Sequence, residues 1–199
     1  MSDILTRRDF VASVGAIGAT WLIADPAVRR DAAEHAARQV GQQQPALEFL
    51  TTEEAADVEA FASRIIPSDD TPGAREAGVV YFIDRSLTTW ARGQQGGFRE
   101  GLTKLRRDVA AVVRGQSRLS ALPADRQDDV LRRIQESVFF GQMRFLTLVG
   151  TLSLPEYGGN RDFVGWTMIG QEPAMEYRPP YGWYDRPENM RALIGGGDA

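Results

Sequence analysis

Apolar residues recur every three to four positions through most of residues 51–153, and this spacing places them along one side of an α-helix. Breaks that contain Gly or Pro divide the pattern into about five stretches. No window shows the sustained alternation of apolar and polar residues that a half-buried strand requires. The sequence therefore predicts an all-α fold, a helical bundle of about five helices.

Local signals place the first two helices. Residues 51–54, Thr-Thr-Glu-Glu, combine a hydroxyl cap with carboxylates in the first turn, which is typical of a helix start. Pro67 disfavours helix at the residue before it and is predicted to end this element. For the second helix, Thr71 is the predicted cap and Pro72 the first helical residue, since a missing N–H costs nothing there.

The last two helices of the bundle differ in their apolar surface. The stretch that begins at Ser120 is predicted to open the fourth helix, with apolar residues on one side. The fifth is predicted from about Val138 to Leu152 and is apolar on most sides, which indicates a central position. The helical pattern stops there, so residues 51–153 are the predicted helical core.

Residues 154–199 form a long irregular C-terminal arm that is rich in Gly, Pro and aromatic residues. Long segments without secondary structure are uncommon in compact domains unless they have a function. Disordered segments are depleted in aromatic residues, so disorder is a poor explanation. The arm is therefore predicted to be ordered and to lie on another surface, either a partner protein or the chain's own helices.

The N-terminal residues 1–30 resemble an export signal. Arg7 and Arg8 precede an apolar pair that begins at Phe10, and a weakly apolar stretch follows. That stretch is shorter than the roughly 20 apolar residues that span a bilayer. The order fits the twin-arginine export signature. The alternative is a short amphipathic helix with two surface arginines.

A polar, Gln-rich linker is predicted over residues 31–50. Cleavage of the signal is expected between Ala27 and Ala37, where small residues are frequent. Retention of the signal as an anchor is the alternative.

Composition excludes several functional classes. The chain has no cysteine, which removes disulfides, iron–sulfur clusters, thiolate zinc sites and covalently attached c-type haem. The net charge is -4, so the chain lacks the excess of basic residues that is typical of nucleic-acid-binding proteins. His35 is the sole histidine, so no Ser-His-Asp triad can be assembled in the predicted core. The Gly-rich stretches do not follow a strand, and therefore no dinucleotide-binding fingerprint is predicted.

Carboxylates offer one candidate for chemistry. Asp69, Asp70 and Asp84 could be proposed as paired acids and bases, since hydrolases use two carboxyl groups several ångströms apart. Asp69 and Asp70 lie in an "SDDTPG" turn, however, where Asp side chains bond to their own backbone. A structural role is the preferred interpretation, and a hydrolase that uses Asp70 and Asp84 stays an alternative.

Four stretches in order carry a resemblance to a known family. They are "IIPSDDTPGAREAGVVYFID" at 65–84, "LPADRQDDVL" at 122–131, "LPEYGGNRDFVGWTMIG" at 154–170 and "PPYGWYD" at 179–185. Together with the twin-arginine start, they resemble the gluconate 2-dehydrogenase subunit 3 family, the small subunit of membrane-associated, FAD-dependent sugar and polyol dehydrogenases. The resemblance covers about residues 50–190.

The resemblance implies a subunit without catalytic, cofactor-binding or metal-binding residues of its own. In such complexes a large flavoprotein of the glucose-methanol-choline type binds FAD and oxidises the sugar, and a cytochrome c or related carrier accepts the electrons. The small subunit is expected in the periplasm or at the cytoplasmic membrane, after passage through the twin-arginine translocase. Its expected role is to support export, maturation and stability of the flavoprotein, and the sugar is left open.

The aromatic arm supplies the expected interface. Trp, Tyr and Arg dominate the binding energy of protein interfaces, but such rings equally pack inside a protein. We expect seven residues to contact the partner or to order the arm, with packing on the chain's own helices as the alternative: Tyr157, Asn160, Phe163, Trp166, Tyr181, Trp183 and Tyr184. The second functional hypothesis is a stand-alone exported sugar-binding module in which the same rings form the platform.

Overall fold

The computed structural model describes residues 46–173 together with Gly182 and Arg186. In that part of the chain six α-helices occur and no β-strand, so the all-α prediction is confirmed. The helices are α1 Thr52–Ile65, α2 Val79–Thr88, α3 Gln95–Val112, α4 Ala124–Ile134, α5 Val138–Leu152 and α6 Val164–Met168. Single 3-10 turns lie at Arg92–Gln94, Leu119–Ala121, Pro155–Tyr157 and Arg161–Phe163.

Helix α1 begins with reciprocal hydrogen bonds. The Thr51 hydroxyl accepts the Glu54 N–H at 3.2 Å, and the Glu54 carboxylate accepts the Thr51 N–H at 3.0 Å. Each bond satisfies a backbone donor that has no partner inside the helix. The start that the sequence indicated at residues 51–54 is therefore confirmed.

Helix α5 packs against both α1 and α2. Its Phe139 ring meets Phe61 of α1 at 6.0 Å and Phe98 of α3 at 5.4 Å between ring centroids, both edge-on. Gly101 of α3 makes room for this ring, because a Cβ there would lie 2.1 Å from Phe139 Cδ2. Phe61 and Phe98 are fully buried, so this aromatic cluster lies inside the core.

Helix α2 begins later than the sequence indicated. The predicted start at Thr71 and Pro72 is wrong, since the helix begins at Val79. Gly78 lies in the left-handed region at φ 68°, which interrupts any helix that would continue from Pro72. Gly73 approaches the Pro67 backbone so closely that a Cβ there would lie 2.5 Å from its carbonyl carbon. Residues 66–78 are therefore a compact loop.

Helix α4 also starts later than predicted, at Ala124. Ser120 belongs to a 3-10 turn, and its N–H and hydroxyl both donate to Asp57 of α1, at 3.0 and 2.8 Å. Arg118 donates to the other oxygen of that carboxylate at 2.9 Å. Asp57 is 1% exposed, so these donors satisfy a buried charge and tie the turn to α1.

Asp84 of α2 binds residues 48–50, the segment that leads into α1. Its carboxylate accepts the backbone N–H groups of Glu48, Phe49 and Leu50 at 2.8, 3.0 and 2.7 Å. Asp84 is only 1% exposed, and both of its oxygens have backbone partners. The last residues of the predicted linker are therefore held by the fold.

None of the helices between residues 46 and 173 combines the length and the apolar character that a membrane-spanning helix requires.

We predict that Asp84→Asn lowers the free energy of unfolding by about 2 to 3 kcal/mol, because an amide group would face backbone donors and leave a buried N–H unsatisfied. Urea denaturation of the full chain measures the change. Asp70→Asn is the matched control, since Asp70 is exposed, and it should change the free energy by less than about 0.5 kcal/mol. Equal stability of the two variants would contradict the role given to Asp84.

Candidate functional site: the loop that closes helix α5

Residues 153–163, named the corner loop, connect the end of α5 at Leu152 to the start of α6 at Val164. The last carbonyl groups of a helix have no partner inside it, so they need other donors. The Asn160 N–H donates to the Gly150 carbonyl at 2.8 Å, and the Trp166 indole N–H donates to the Leu152 carbonyl at 2.7 Å. The corner loop and the first turn of α6 therefore form the cap of α5.

Asn160 is the centre of this cap. Its side-chain amide donates to the Ser153 carbonyl at 2.8 Å, and its side-chain oxygen accepts the Gly165 N–H at 2.8 Å. Its backbone carbonyl accepts the Phe163 N–H at 3.0 Å. Asn160 is fully buried, so one side chain joins the end of α5 to the start of α6 away from water.

Two glycines, Gly159 and Gly165, allow the backbone of the corner loop and of α6 to approach the backbone of α5 closely. A Cβ at Gly159 would lie 2.0 Å from the Gly150 carbonyl oxygen, and one at Gly165 would lie 1.9 Å from the Thr151 carbonyl oxygen. Both neighbours are backbone atoms of α5 and cannot rotate away. Any larger residue at Gly159 or Gly165 would therefore displace the corner loop.

The corner loop contains unusual backbone conformations. Asn160, Asp162 and Phe163 have φ values of 44°, 54° and 56°. Such positive values cost of order 1 to 3 kcal/mol for a residue with a side chain, and Asn and Asp tolerate them best. The Phe163 ring lies 5.1 Å from the Trp166 ring, between centroids. The hydrogen bonds of Asn160 therefore hold a strained turn that fixes these two rings.

The corner loop is also joined to α2. The Arg161 N–H donates to the Ala77 carbonyl at 3.1 Å, and its guanidinium carbon lies 5.4 Å from the centre of the Tyr81 ring. A Cβ at Gly158 would lie 2.3 Å from the Arg85 guanidinium. The corner loop therefore packs between the end of α5 and the first turns of α2.

Arg85 is a buried charge, 6% exposed. Burial lowers its pKa, and the carboxylates of Glu48 and Asp84 act in the opposite direction. Arg85 was not singled out from the sequence. The signal was an adjacent Asp and Arg inside an apolar helical pattern, which indicates two buried charges with partners.

The structure places four of the seven expected interface residues in one region. Asn160 is fully enclosed and orders the corner loop. Tyr157, Phe163 and Trp166 are half-buried, and Tyr157 packs against the core. Contact of these residues with a partner stays a prediction. Tyr181, Trp183 and Tyr184 lie outside the described residues, as do Arg7, Arg8, Phe10 and His35.

Two of the three candidate carboxylates, Asp69 and Asp84, are used within the fold. Asp69 accepts the N–H and the hydroxyl of Thr71 at 3.0 and 3.1 Å, and these bonds lower its pKa. Both oxygens of Asp84 are occupied by backbone N–H groups. Among the residues that the structure describes, no three His, Asp or Glu side chains are grouped so that they could hold a metal ion.

We predict that Asn160→Asp lowers the free energy of unfolding by about 2 to 4 kcal/mol, because it removes the donor to the Ser153 carbonyl and buries a charge beside it. Asp162→Asn is a matched control. It makes the reverse exchange two residues away, at an exposed position with the same backbone conformation, and should change stability by less than about 0.5 kcal/mol. Urea denaturation measures both, and a stable Asn160→Asp variant would contradict the central role of this amide.

The chain matches the model of the protein family described as gluconate 2-dehydrogenase subunit 3. No curated protein and no solved structure matches the chain. The family match spans residues 52–173, which is more than half of the 199 residues and includes all six helices and the corner loop. The chain therefore belongs to the gluconate 2-dehydrogenase subunit 3 family.

Proposed function

We propose that this chain is the non-catalytic small subunit of a periplasmic FAD-dependent sugar dehydrogenase, and that it supports export, maturation and stability of a flavoprotein subunit. The observation that carries the proposal is the family match, since its description is that of a dehydrogenase subunit. The proposed partner is a large flavoprotein of the glucose-methanol-choline type, which binds the FAD and oxidises the sugar. A cytochrome c is the proposed electron acceptor.

The use of polar groups in the core supports this function. The Asn160 amide closes α5, and the Asp84 carboxylate holds residues 48–50. The corner loop has the Gly-rich composition of many active-site loops, yet its one amide side chain, that of Asn160, bonds to backbone groups of the chain itself. These contacts favour the interpretation that the chain is a rigid body with an interaction surface, rather than a body with a catalytic site.

Export is the part of the proposal that rests on the N-terminal sequence. The twin-arginine pathway carries folded proteins, so a flavoprotein without its own signal crosses only while bound to a chain that has one. The complex must therefore form in the cytoplasm and survive transport. Stable permanent interfaces bury about 2,000 Å² or more, which sets the size of contact that this chain must provide.

The segment that follows the proposed signal and linker and leads into α1 is bound firmly to this body. Asp84 holds residues 48–50, and Arg99 donates to the Phe49 carbonyl at 2.8 Å while it stacks over the Phe49 ring at 4.3 Å. Leu50 is buried in the core. Residues 48–50 are therefore the part of the N-terminal region that the bundle holds in place.

We predict that changing Arg7 and Arg8 to Lys strands both proteins in the cytoplasm, because the export machinery reads the arginine pair itself. The measurement is dehydrogenase activity in the periplasmic and cytoplasmic fractions after co-expression with the flavoprotein proposed as the partner, and periplasmic activity should fall at least tenfold. Arg29 and Arg30 provide a matched control pair, and their change to Lys should leave export unaffected.

Two results would contradict the proposal. Undiminished periplasmic activity after the change at Arg7 and Arg8 would contradict the assignment of residues 1–30 as a twin-arginine export signal. Equal periplasmic activity in cells that lack this chain would overturn the role as escort. Sugar binding by the purified chain alone at millimolar concentration or below would instead favour the stand-alone sugar-binding module.

A further inference from the structure

Residues 46–50, named the N-terminal strap, lie against the bundle without belonging to any of its helices. The strap is bound by its three backbone hydrogen bonds to Asp84 and by the contacts of Arg99 with Phe49. Leu50 is buried, whereas Leu47 and Phe49 are only partly buried. Short segments with few buried contacts open at a lower free energy than the core of a fold. Release of the strap is therefore a local opening during which the helices stay folded.

The strap lies beside a buried positive charge. The Glu48 N–H donates to Asp84 at 2.8 Å, and Arg85 is the next residue of α2. Arg85 is 6% exposed, and this burial is the strongest influence on its pKa, which it lowers. The Glu48 carboxylate has the largest opposing effect on that pKa, ahead of the Asp84 carboxylate. The charge that compensates Arg85 most strongly is therefore supplied by the strap.

Arg85 also contacts the corner loop. A Cβ at Gly158 would lie 2.3 Å from Arg85 Nη1, so the guanidinium lies against the backbone of this glycine. Gly158 has a φ of 96° and lies two residues before Asn160, the centre of the cap. The positive charge of Arg161 opposes that of Arg85. Movement of the Arg85 side chain would therefore act on the corner loop at two residues, Gly158 and Arg161.

Asp84 does not replace Glu48 as the compensating charge. Both oxygens of Asp84 accept backbone N–H groups of the strap, and adjacent residues of a helix do not face each other. Release of the strap would leave Arg85 buried with weaker compensation, which is costly for a charge. That cost falls if the Arg85 side chain moves toward water. Such a movement would disturb the corner loop, which packs against it.

We propose that the strap and the corner loop form one conformational device, in which the bound strap keeps the corner loop ordered through Arg85 and release of the strap loosens it. The inference does not depend on the proposed function. Coupling between two sites is reciprocal, so disturbance of the corner loop weakens the binding of the strap by the same factor. The positions of the Phe163 and Trp166 rings, which the corner loop fixes, therefore depend on the state of the strap.

Hydrogen exchange of backbone amides, measured by NMR on the full chain, tests the coupling from the strap. Glu48→Gln removes the charge at nearly constant volume, and Phe49→Ala removes the ring that stacks under Arg99. In both variants we expect exchange of the Asn160 N–H to become roughly fivefold faster or more, the lower end of typical couplings between sites. Glu100→Gln is the matched control, since Glu100 is exposed and has no polar partner among residues 46–173, and it should leave this rate unchanged.

Gly158→Ala tests the coupling from the corner loop, because the added Cβ would displace the Arg85 guanidinium. The Leu50 N–H donates to Asp84 at 2.7 Å, and its exchange should become faster by roughly the same factor. Gly170→Ala is the matched control. Its φ of 72° makes alanine strained in the same way, but no neighbouring group lies within 4 Å of the added Cβ, and exchange at Leu50 should not change.

Three results would overturn the proposal. Unchanged exchange at Asn160 in Glu48→Gln or in Phe49→Ala would show that the strap does not order the corner loop through the charge on Arg85. Unchanged exchange at Leu50 in Gly158→Ala would contradict the reciprocity. Met143 is fully buried in the middle of α5, so its N–H reports unfolding of the bundle. Equal acceleration at Asn160 and Met143 would show that the strap stabilises the whole bundle and has no specific link to the corner loop.

Discussion

The carboxamide of Asn160 joins two helix ends that lie next to each other in the fold. It donates to the Ser153 carbonyl after α5 and accepts the Gly165 N–H at the start of α6. A fully buried amide without these partners would cost several kcal/mol, so the corner loop has one arrangement that satisfies it. The close backbone contacts at Gly159 and Gly165, and the positions of the Phe163 and Trp166 rings, all depend on that arrangement.

Buried polar side chains of α2 also hold the two ends of the continuous described chain, residues 48–50 and the corner loop. Asp84 holds residues 48–50, while Arg85, the next residue, packs beside Gly158 of the corner loop. Helix α2 therefore contacts both the segment at residues 48–50 that leads into α1 and the corner loop.

Much of the bundle could be predicted from the sequence, because helical periodicity and caps are local signals. The fifth helix was expected from about Val138 to Leu152 and has those bounds, and the cap at Thr51 is present. The start of α2 was missed because the close approach of Gly73 to Pro67 depends on a tertiary contact. Asn160 was expected to contact a partner or to order the arm, and it orders the corner loop. Which backbone groups it bonds could not be predicted, since they become neighbours only in the folded chain.

The central claim is that the corner loop is a fixed structural cap and not a mobile site. Hydrogen exchange of individual backbone amides, measured by NMR on the full chain, tests it most directly. The account predicts that the N–H groups of Asn160 and Gly165, bonded to the Gly150 carbonyl and the Asn160 side chain, exchange as slowly as those in the middle of α5. Exchange as fast as in the exposed turn at residues 68–72 would contradict it.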